Sequence, residues 1–339
     1  MSDTTAKTPL LANLLTQAWR HRGFIACLLL PFAAIFFLII FFRRIFYRLG
    51  IFESSTLPVP VIVVGNIFIG GTGKTPLVIW LVSMLRAQGY APGVISRGYG
   101  AESSAIIEVK PDMSASETGD EPLLIARKCE VPVFVGRDRV AAAHGLLAAY
   151  PEIDVIISDD GLQHYALNRT MEIQLSDTRG HGNGWLLPAG PLREPVSRRS
   201  DFYVINGGTS ITSADTHRMQ IIGTHAEQMI DRQQHFALSS LQNKRVAAVA
   251  GIGHPERFFG MLRSQGVVLA SALALPDHFD FSTNPFVEIK ADIILITEKD
   301  AVKCTRITGI GQDKRLWIVP VEASIAEPLA QHILEKLRG

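Results

Sequence analysis

The residues best suited to chemistry form a short glycine-rich run at positions 68–75, reading Phe-Ile-Gly-Gly-Thr-Gly-Lys-Thr. The run follows the apolar segment 59–65 and precedes the apolar segment 77–82. Glycines let successive backbone N–H groups point at phosphate oxygens, and a following helix turns its positive N-terminus to the same anion. The pattern predicts a nucleotide-phosphate loop made of Phe68, Ile69, Gly70, Gly71, Thr72, Gly73, Lys74 and Thr75.

Two residues of this loop have specific expected roles. Lys74 would contact the β- and γ-phosphates, and the Thr75 hydroxyl would ligate Mg²⁺. The usual pattern has glycine five residues before the Gly-Lys pair, where this chain has Phe68. The alternative is a tight strand-to-helix turn with a solvated lysine. The intact Gly-Lys-Thr after a buried strand favours the phosphate loop.

A pair of acids follows another apolar segment. Residues 153–158 read as a buried strand, and Asp159 and Asp160 come directly after it. Acids at the carboxyl end of a strand beside a phosphate loop commonly hold Mg²⁺, directly or through water. The alternatives are a solvated turn acid and a helix cap. We predict a metal role for both acids, and the sequence leaves open which of them is the closer ligand.

Other polar residues are individually less specific. Asp120 precedes a predicted helix, 121–128, and a helix cap explains it as well as chemistry does. Arg97 and Arg137 each follow a strand end, where a guanidinium can bind phosphate bidentately. His278 lies in a polar loop, where a lone histidine is ordinarily an exposed residue without a specific role.

The elements that would position these residues alternate between strands and helices. The predicted strands are 59–65, 92–96, 131–135, 153–158 and 171–175, and the predicted helices are 74–88, 121–128 and 138–149. Such alternation predicts a parallel sheet with helices on both faces and ligands at the carboxyl ends of the strands. A second alternation from Arg245 predicts strands 246–249, 292–297 and 316–319 and helices 255–265 and 325–337.

The chain is therefore predicted to be an α/β protein. We expect a P-loop NTPase-like parallel-sheet core, a smaller second α/β domain and an N-terminal membrane-anchoring helix. The predicted division is an anchor segment at 1–57, a P-loop core at 58–200, a β-like connector at 201–240 and the second domain at 241–339.

The anchor is predicted from residues 23–42, which contain no charged residue and are bordered by arginines. A helix of that length spans roughly 30 Å, the thickness of one bilayer core. A cleaved signal peptide fits less well, because the apolar run is long and no small-x-small site follows. Full spanning and a half-inserted hairpin bent at Pro31 both remain open. Bases mixed with aromatics at 43–48 are typical of an interfacial segment.

Composition excludes some functions. The net charge is +1, which gives no support to a nucleic-acid partner. Three cysteines without a Cys-x-x-Cys pair argue for a reducing compartment, against a disulfide framework and against a structural zinc site. We infer no obligate protein partner.

Taken together, the motifs resemble those of one family, the tetraacyldisaccharide 4′-kinases, which are the lipid A 4′-kinases of Gram-negative bacteria. The matching runs extend over nearly the whole chain, and that family's loop also lacks the first glycine. The runs are 64–75, 96–100, 119–122, 136–139, 159–164, 187–194 and 277–278.

The resemblance implies a specific reaction. ATP with Mg²⁺ would phosphorylate the 4′-hydroxyl of an acylated glucosamine disaccharide 1-phosphate embedded in the bilayer, yielding lipid IVA in lipid A biosynthesis. Asp120 is implied to be the catalytic base, with His278 as its partner from the second domain. The remaining implied phosphate or substrate contacts are Arg97, Glu121, Arg137 and His164. The implied location is the inner membrane of a Gram-negative bacterium, with the active site on the cytoplasmic face.

Two readings from other classes compete with this one. The first is a membrane-associated ATPase or GTPase switch or a transport ATPase. The run 297–300 resembles a guanine-specificity motif, but Glu298 stands where that motif has lysine. The second is a non-catalytic membrane scaffold with a degenerate nucleotide site, and the intact residues 73–75 and 159–160 argue against it.

Overall fold

The computed structural model describes residues 17–100, 105–208, 215–305 and 307–338, whose strands form two sheets. The strands are β1 (Val61–Gly65), β2 (Pro92–Ser96), β3 (Ile107–Glu108), β4 (Val133–Val135), β5 (Val155–Asp159), β6 (Met171–Asp177), β7 (Phe202–Asn206), β8 (Thr216–Ile222), β9 (His225–Gln228), β10 (His235–Ala237), β11 (Val246–Ala250), β12 (Leu269–Ala274), β13 (Ile293–Thr297), β14 (Leu316–Val319) and β15 (Glu322–Ile325). The helices are α1 (Phe24–Leu28), α2 (Leu30–Arg48), α3 (Lys74–Ala87), α4 (Ala115–Thr118), α5 (Asp120–Cys129), α6 (Arg139–Ala149), α7 (Pro255–Ser264), α8 (Glu298–Cys304) and α9 (Glu327–Arg338), with a 3₁₀ turn at Leu238–Ser240.

The first sheet has nine strands in the order β15-β8-β7-β6-β1-β5-β2-β4-β3. Its central strands are parallel, with β1 between β5 and β6, and only β3 and β15 pair antiparallel. Ile62 and Val64 face a core that contains residues of α3 and α5, whereas Val61 and Val63 face a core that contains residues of α6. This alternation follows from the two-residue period of a strand covered on both faces. The predicted parallel α/β core is confirmed.

The second sheet has six strands in the order β10-β9-β14-β13-β11-β12. Strands β12, β11, β13 and β14 are parallel, and the hairpin of β9 and β10 adds antiparallel strands at one edge. Apolar clusters pack on both faces. The predicted smaller α/β unit is confirmed.

The two sheets do not follow the predicted division of the chain. Strand β8, from the predicted connector, belongs to the first sheet, and β15 returns from the predicted second domain to pair with β8. Helix α9 then buries Leu329 and Ile333 in the core of the first sheet. The edge of β8 gains a hydrogen-bonding partner in this way. Strand β15 was not predicted, because it is short and half-polar and its sequence pattern is weak.

The N-terminal segment forms two helices, α1 and α2, that meet at Leu29. Pro31 lies in the first turn of α2, where a backbone N–H would have no partner within the helix, so the N–H that proline lacks costs no hydrogen bond. Of the residues that the structure describes, Leu30–Arg48 is the one helix long and apolar enough to cross a membrane, by length and composition. Its apolar side chains are largely exposed, for example Ile35 at 57% and Ile39 at 59%.

Candidate active site

The predicted phosphate loop, residues 68–75, lies between β1 and α3 and includes the first two residues of that helix. Gly73 has a φ of 101°, and a Cβ there would collide with the side-chain amide of Asn206, so only glycine fits. That amide donates to the Thr72 carbonyl at 2.8 Å. Helix α3 begins at Lys74, whose Nζ lies 3.3 Å from Asn66 Oδ1 and 3.5 Å from Asp160 Oδ1. The loop thus places a cation and a helix N-terminus at one point.

Phe68 has a structural use at the position of the missing glycine. It forms an isolated bridge with Leu192, and the next N–H, of Ile69, donates to Pro191 at 2.9 Å. The Arg179 guanidinium lies 4.6 Å from the Phe68 ring centroid, and its Nη2 donates to the Gly71 carbonyl at 2.9 Å. The aromatic ring thereby holds an arginine that orients the loop backbone.

The two acids after β5 have different environments. Asp159 is 1% exposed, and its Oδ2 accepts from Ser96 Oγ at 3.3 Å, while its buried Oδ1 has no hydrogen-bond partner among the described residues. Burial, followed by the Glu121 charge, raises the pKa of Asp159 to about 7. Asp160 lies 3.1 Å from Arg193 Nη1. Burial opposes ionisation of Asp160, but Lys74 and Arg193 outweigh it and hold its pKa below the usual value.

Asp120 and His278, 158 residues apart, meet across the two sheets. Asp120 is 4% exposed, and its Oδ2 lies 3.0 Å from His278 Nδ1. The N-cap residue of α5 is Gly119, and Asp120 is the first residue of the helix, where its Oδ1 accepts from the Glu121 N–H at 3.0 Å. Burial would raise the pKa of Asp120, but the hydrogen bond from His278 and the charge of Lys299 keep it lowered. The hydrogen bond to Asp120 raises the pKa of His278.

Lys299 completes this cluster, and the sequence analysis did not assign it a role. Its Nζ lies 2.9 Å from Glu121 Oε1, 3.4 Å from His278 Nε2 and 3.8 Å from Asp120 Oδ2. A lysine ammonium has only donors, so in the neutral imidazole Nε2 accepts and Nδ1 carries the hydrogen that Asp120 accepts. Burial opposes the Lys299 charge, but the neighbouring carboxylates, led by Glu121, raise its pKa.

The run 297–300 that contains Lys299 has a structural explanation. Thr297 caps α8 by accepting from the Asp300 N–H at 3.1 Å. Glu298 accepts from Lys128 Nζ at 2.9 Å and from the Val321 N–H at 3.0 Å, so its carboxylate is already engaged. These contacts do not support a guanine-reading role, and they show why a charged run follows a buried strand.

The other residues predicted to contact phosphate or substrate lie outside these two clusters. Arg97 and Arg137 are exposed. His164 is half-buried, and burial together with the Arg139 charge lowers its pKa to about 4. The buried Arg139, which the sequence analysis did not select, donates to the Asp160 carbonyl at 3.3 Å. The signal for Arg139 was its place in the run 136–139.

A cavity of about 160 Å³ lies between the phosphate loop and the second sheet. Its apolar walls come from both sheets, and its polar rim includes Lys74 and Lys299. Arg257 crosses the same gap, since Nη1 donates to the Thr72 carbonyl at 3.2 Å and Nη2 to Asp177 at 2.7 Å. The geometry fits a nucleotide with its phosphates in the loop and its base against apolar side chains. The apolar lining consists of Ile79, Leu124, Ile221, Ile252, Phe258, Met261, Val319 and Val321.

Comparison with known families shows which family the chain belongs to. The family model for tetraacyldisaccharide-1-P 4′-kinase matches residues 25–338. The chain belongs to the tetraacyldisaccharide 4′-kinase family. The predicted family is therefore confirmed, and the match includes both sheets and α2.

Relatives agree with this assignment over nearly their full length. The chain is 58% identical over 337 residues to the tetraacyldisaccharide 4′-kinase of Janthinobacterium sp. (strain Marseille), covering 97% of each chain. It is 53% identical over 338 residues to that of Herminiimonas arsenicoxydans, covering 95% of each. The crystal structure of LpxK from Aquifex aeolicus in complex with ATP is 29% identical, with a TM-score of 0.76, covering 92% of this chain and 99% of that chain.

Proposed function

We propose that this tetraacyldisaccharide 4′-kinase family member transfers the γ-phosphoryl group of ATP to the 4′-hydroxyl of a tetraacyldisaccharide 1-phosphate, forming lipid IVA. The observation that carries the proposal is the meeting of two half-sites. One is a phosphate loop with Lys74 beside Asp160, and the other is the Asp120–His278 pair across the gap between the sheets. The ATP complex of the Aquifex aeolicus relative supports ATP as the donor.

In this proposal Lys74 and the N-terminus of α3 bind the transferring phosphate. Phosphoryl transfer depends mainly on positioning and on neutralising charge spread over the phosphate oxygens. The exposed Arg97 and Arg137 are available to bind substrate phosphate, while Arg193 is paired with Asp160. These cations come to one edge of the first sheet because the carboxyl ends of its parallel strands meet there.

Asp120 is proposed as the base that accepts the proton of the sugar hydroxyl. Its lowered pKa keeps it ionised at neutral pH, ready to accept. A sugar hydroxyl is a weak acid, so a carboxylate placed to take its proton late in the transfer is effective. His278 orients the carboxylate through Oδ2. Because the pair comes from two sheets, their approach is a condition for catalysis.

The residues present fit a magnesium ion. The buried Oδ1 of Asp159 has no partner among the described residues, and Thr75 is 8% exposed at the start of α3. Hard oxygen ligands of this kind suit Mg²⁺, which neutralises phosphate charge when it is bound with the nucleotide. We propose that Thr75 and Asp159 would hold the ion, with Asp160 as a further acid beside them. Asp160 is already engaged by Lys74 and Arg193.

Membrane attachment through α2 is proposed because the acyl chains of the substrate remain in the bilayer. The exposed apolar surface of Leu30–Arg48 supports this placement. The site would act at the cytoplasmic face of the inner membrane, where ATP is present. In vesicle flotation, a chain lacking residues 1–42 should lose most of its membrane association. Unchanged flotation of that truncated chain would contradict attachment through α2.

The proposed reaction is tested with γ-labelled ATP and the purified full chain in detergent micelles. Label should move to the acylated disaccharide 1-phosphate, and ATP should be consumed only when that lipid is present. A matched lipid whose 4′-hydroxyl is replaced by hydrogen should not be labelled. Hydrolysis of ATP or GTP at the same rate without lipid would support a nucleotide switch and contradict the kinase.

A further inference from the structure

A second cavity, of about 310 Å³, lies beside the C-terminal end of α2. Its walls come from α2, from the segment between β5 and β6, and from the segment before β7. We call it the arginine cleft. Its charged lining consists of Arg44, Arg48, Arg169, Glu172, Arg198 and Arg199.

The inner part of the arginine cleft is electrically balanced. Glu172 accepts from Arg169 Nη1 at 2.9 Å and from Arg198 Nη1 at 2.7 Å. Arg198 also donates from Nε to the buried Glu194 at 2.8 Å. Two carboxylates therefore offset two guanidinium groups, and this network fixes the walls of the cleft.

The outer part carries cations with no such balance. In the described ranges of the chain, no ion pair with a carboxylate is formed by Arg44, Arg48 or Arg199. Arg44 is half-buried, whereas Arg48 and Arg199 are exposed. Arg44 and Arg48 lie one turn apart on the same face of α2, and Arg199 faces the same cavity from another segment. Three unpaired guanidinium groups around one cavity suit a phosphate, which their planar forks can bind bidentately.

The position of the arginine cleft indicates where that phosphate comes from. Phe41 and Phe42, just before Arg44, are 45% and 49% exposed on the apolar part of α2. If that part lies in the bilayer, the next turn of the helix is at the level of the lipid headgroups. Tyr47 packs on Tyr165 with ring centroids 5.8 Å apart, and tyrosine is enriched at the level of the headgroups.

We propose that the arginine cleft binds the phosphate group of a membrane lipid. This inference rests on the membrane placement in the proposed function. Two lipids carry the required chemistry: an anionic phospholipid with a phosphodiester headgroup, and the acylated disaccharide substrate with its 1-phosphate monoester. Binding there would hold α2 against the first sheet and set the height of the active site above the bilayer.

The test measures lipid binding without catalysis. Dioctanoyl phosphatidylglycerol, a phosphodiester, and dioctanoyl phosphatidic acid, a monoester, are titrated into the full chain in neutral detergent micelles without ATP. Dioctanoyl phosphatidylcholine is the reference. The wild-type chain should bind at least one anionic lipid more tightly than the reference. Equal binding of all three lipids would overturn the proposal and would leave the kinase reaction untouched, because no turnover is measured.

The variants separate the arginine cleft from general surface charge. Arg199→Gln should weaken anionic-lipid binding roughly fivefold, and Arg44→Gln/Arg48→Gln/Arg199→Gln roughly a hundredfold, at about one lost headgroup contact per arginine. Arg263→Gln removes the same charge from an exposed position on α7 and should change nothing. Arg199 is decisive because it lies outside α2. Wild-type affinity in Arg199→Gln, or equal losses in Arg199→Gln and Arg263→Gln, would overturn the proposal.

The source of the phosphate is identified by kinetics. If the substrate's 1-phosphate binds in the arginine cleft, Arg199→Gln should raise KM roughly fivefold for the natural substrate. KM for the acylated disaccharide that lacks the 1-phosphate should then stay the same. If a phospholipid binds there, both KM values should respond equally to Arg199→Gln, and phosphatidylglycerol should bind more tightly than phosphatidic acid. Either result supports the lipid-phosphate site and names its ligand.

Discussion

The two halves of the candidate active site are built in different ways. The phosphate half lies on the first sheet, where Lys74 is one residue from the strictly required Gly73 and 3.5 Å from Asp160. The base half is divided, with Asp120 on a helix of the first sheet and His278 and Lys299 on the second. The first half is assembled mainly from segments of the first sheet, whereas the second exists only when both sheets are in place.

The same difference appears in the charges. Lys74 and Arg193 hold the pKa of Asp160 down from within the first sheet. Asp120 is held ionised by His278 and Lys299, which come from the second sheet. A movement between the sheets would therefore change the surroundings of Asp120 and leave those of Asp160 nearly as they are. The predictions below test this contrast.

The largest expected effect comes from breaking the base half. Asp120→Ala and His278→Ala should each lower kcat about 10²- to 10⁴-fold and leave ATP affinity nearly unchanged. The double variant should be little worse than the worse single variant, since residues that act as a unit lose function together. Single-turnover rates are the measurement.

The control for that result is Asp120→Asn. Asparagine keeps the size and the first-turn position of Asp120 but cannot accept the proton as a carboxylate does. Full activity in Asp120→Asn would exclude the base role. Simple multiplication of the two alanine losses would show that Asp120 and His278 act independently.

Breaking the phosphate half should have the next-largest effect. Lys74→Ala should lower kcat/KM at least about a hundredfold, as the loss of a preorganised contact to a transferring phosphate does. Unlike the base variants, it should also weaken ATP binding. Arg86→Ala, which removes a cation from the other end of α3, is the control. Near-normal turnover by a folded Lys74→Ala protein would contradict the assignment of the phosphate loop.

A smaller effect should distinguish two lysines of α8. Lys299 and Lys303 both lie 3.8 Å from Asp120 Oδ2, but only Lys299 also contacts Glu121 and His278. Lys299→Met should lower kcat about tenfold, a loss of about 1.4 kcal/mol, and Lys303→Met should lower it less. Equal losses would show that the cluster needs only positive charge near Asp120. Lys299→Arg keeps a donor-only cation and should recover part of the activity.

The smallest effect is a pH dependence of the Asp120–His278 contact. The pKa of His278 is raised in the folded state, so its contribution to stability is complete below the unfolded value of about 6.5 and is lost as pH rises through the folded value. Asp120, with a lowered pKa, contributes above its unfolded value of about 3.9. His278→Gln should therefore destabilise the protein more at pH 6 than at pH 9, by on the order of 1 kcal/mol.

Urea unfolding at the two pH values measures this difference, with His235→Gln at an exposed position as the control. NMR titration of the His278 ring should also show its pKa falling in Asp120→Asn. A constant loss of stability at both pH values would mean that the hydrogen bond does not depend on the charge of the imidazole.

Most of the first sheet was predictable from the sequence. Strands β1, β2 and β5 are buried along their whole length and read as mainly apolar runs, and β1 and β5 lead into the predicted phosphate loop and the two acids. Strand β15 was not predictable, because a run of Glu-Ala-Ser-Ile has no strong strand pattern and its partner β8 lies far away in the chain, with most of the second sheet between them.

The sequence by itself determined the phosphate loop, the acids after β5, the apolar helix and the family. These features are local: each lies within one strand, loop or helix, whose spacing is visible in the residue order. Only the tertiary structure decided that Asp120 meets His278 rather than capping a helix, and that Lys299 and Arg139 join the site. It also showed that Asp160 is already paired, whereas Asp159 Oδ1 has no hydrogen-bond partner in the part of the chain that the structure describes. The reason is physical: contacts between segments far apart in the chain depend on how the two sheets pack, and residue spacing carries no record of that packing.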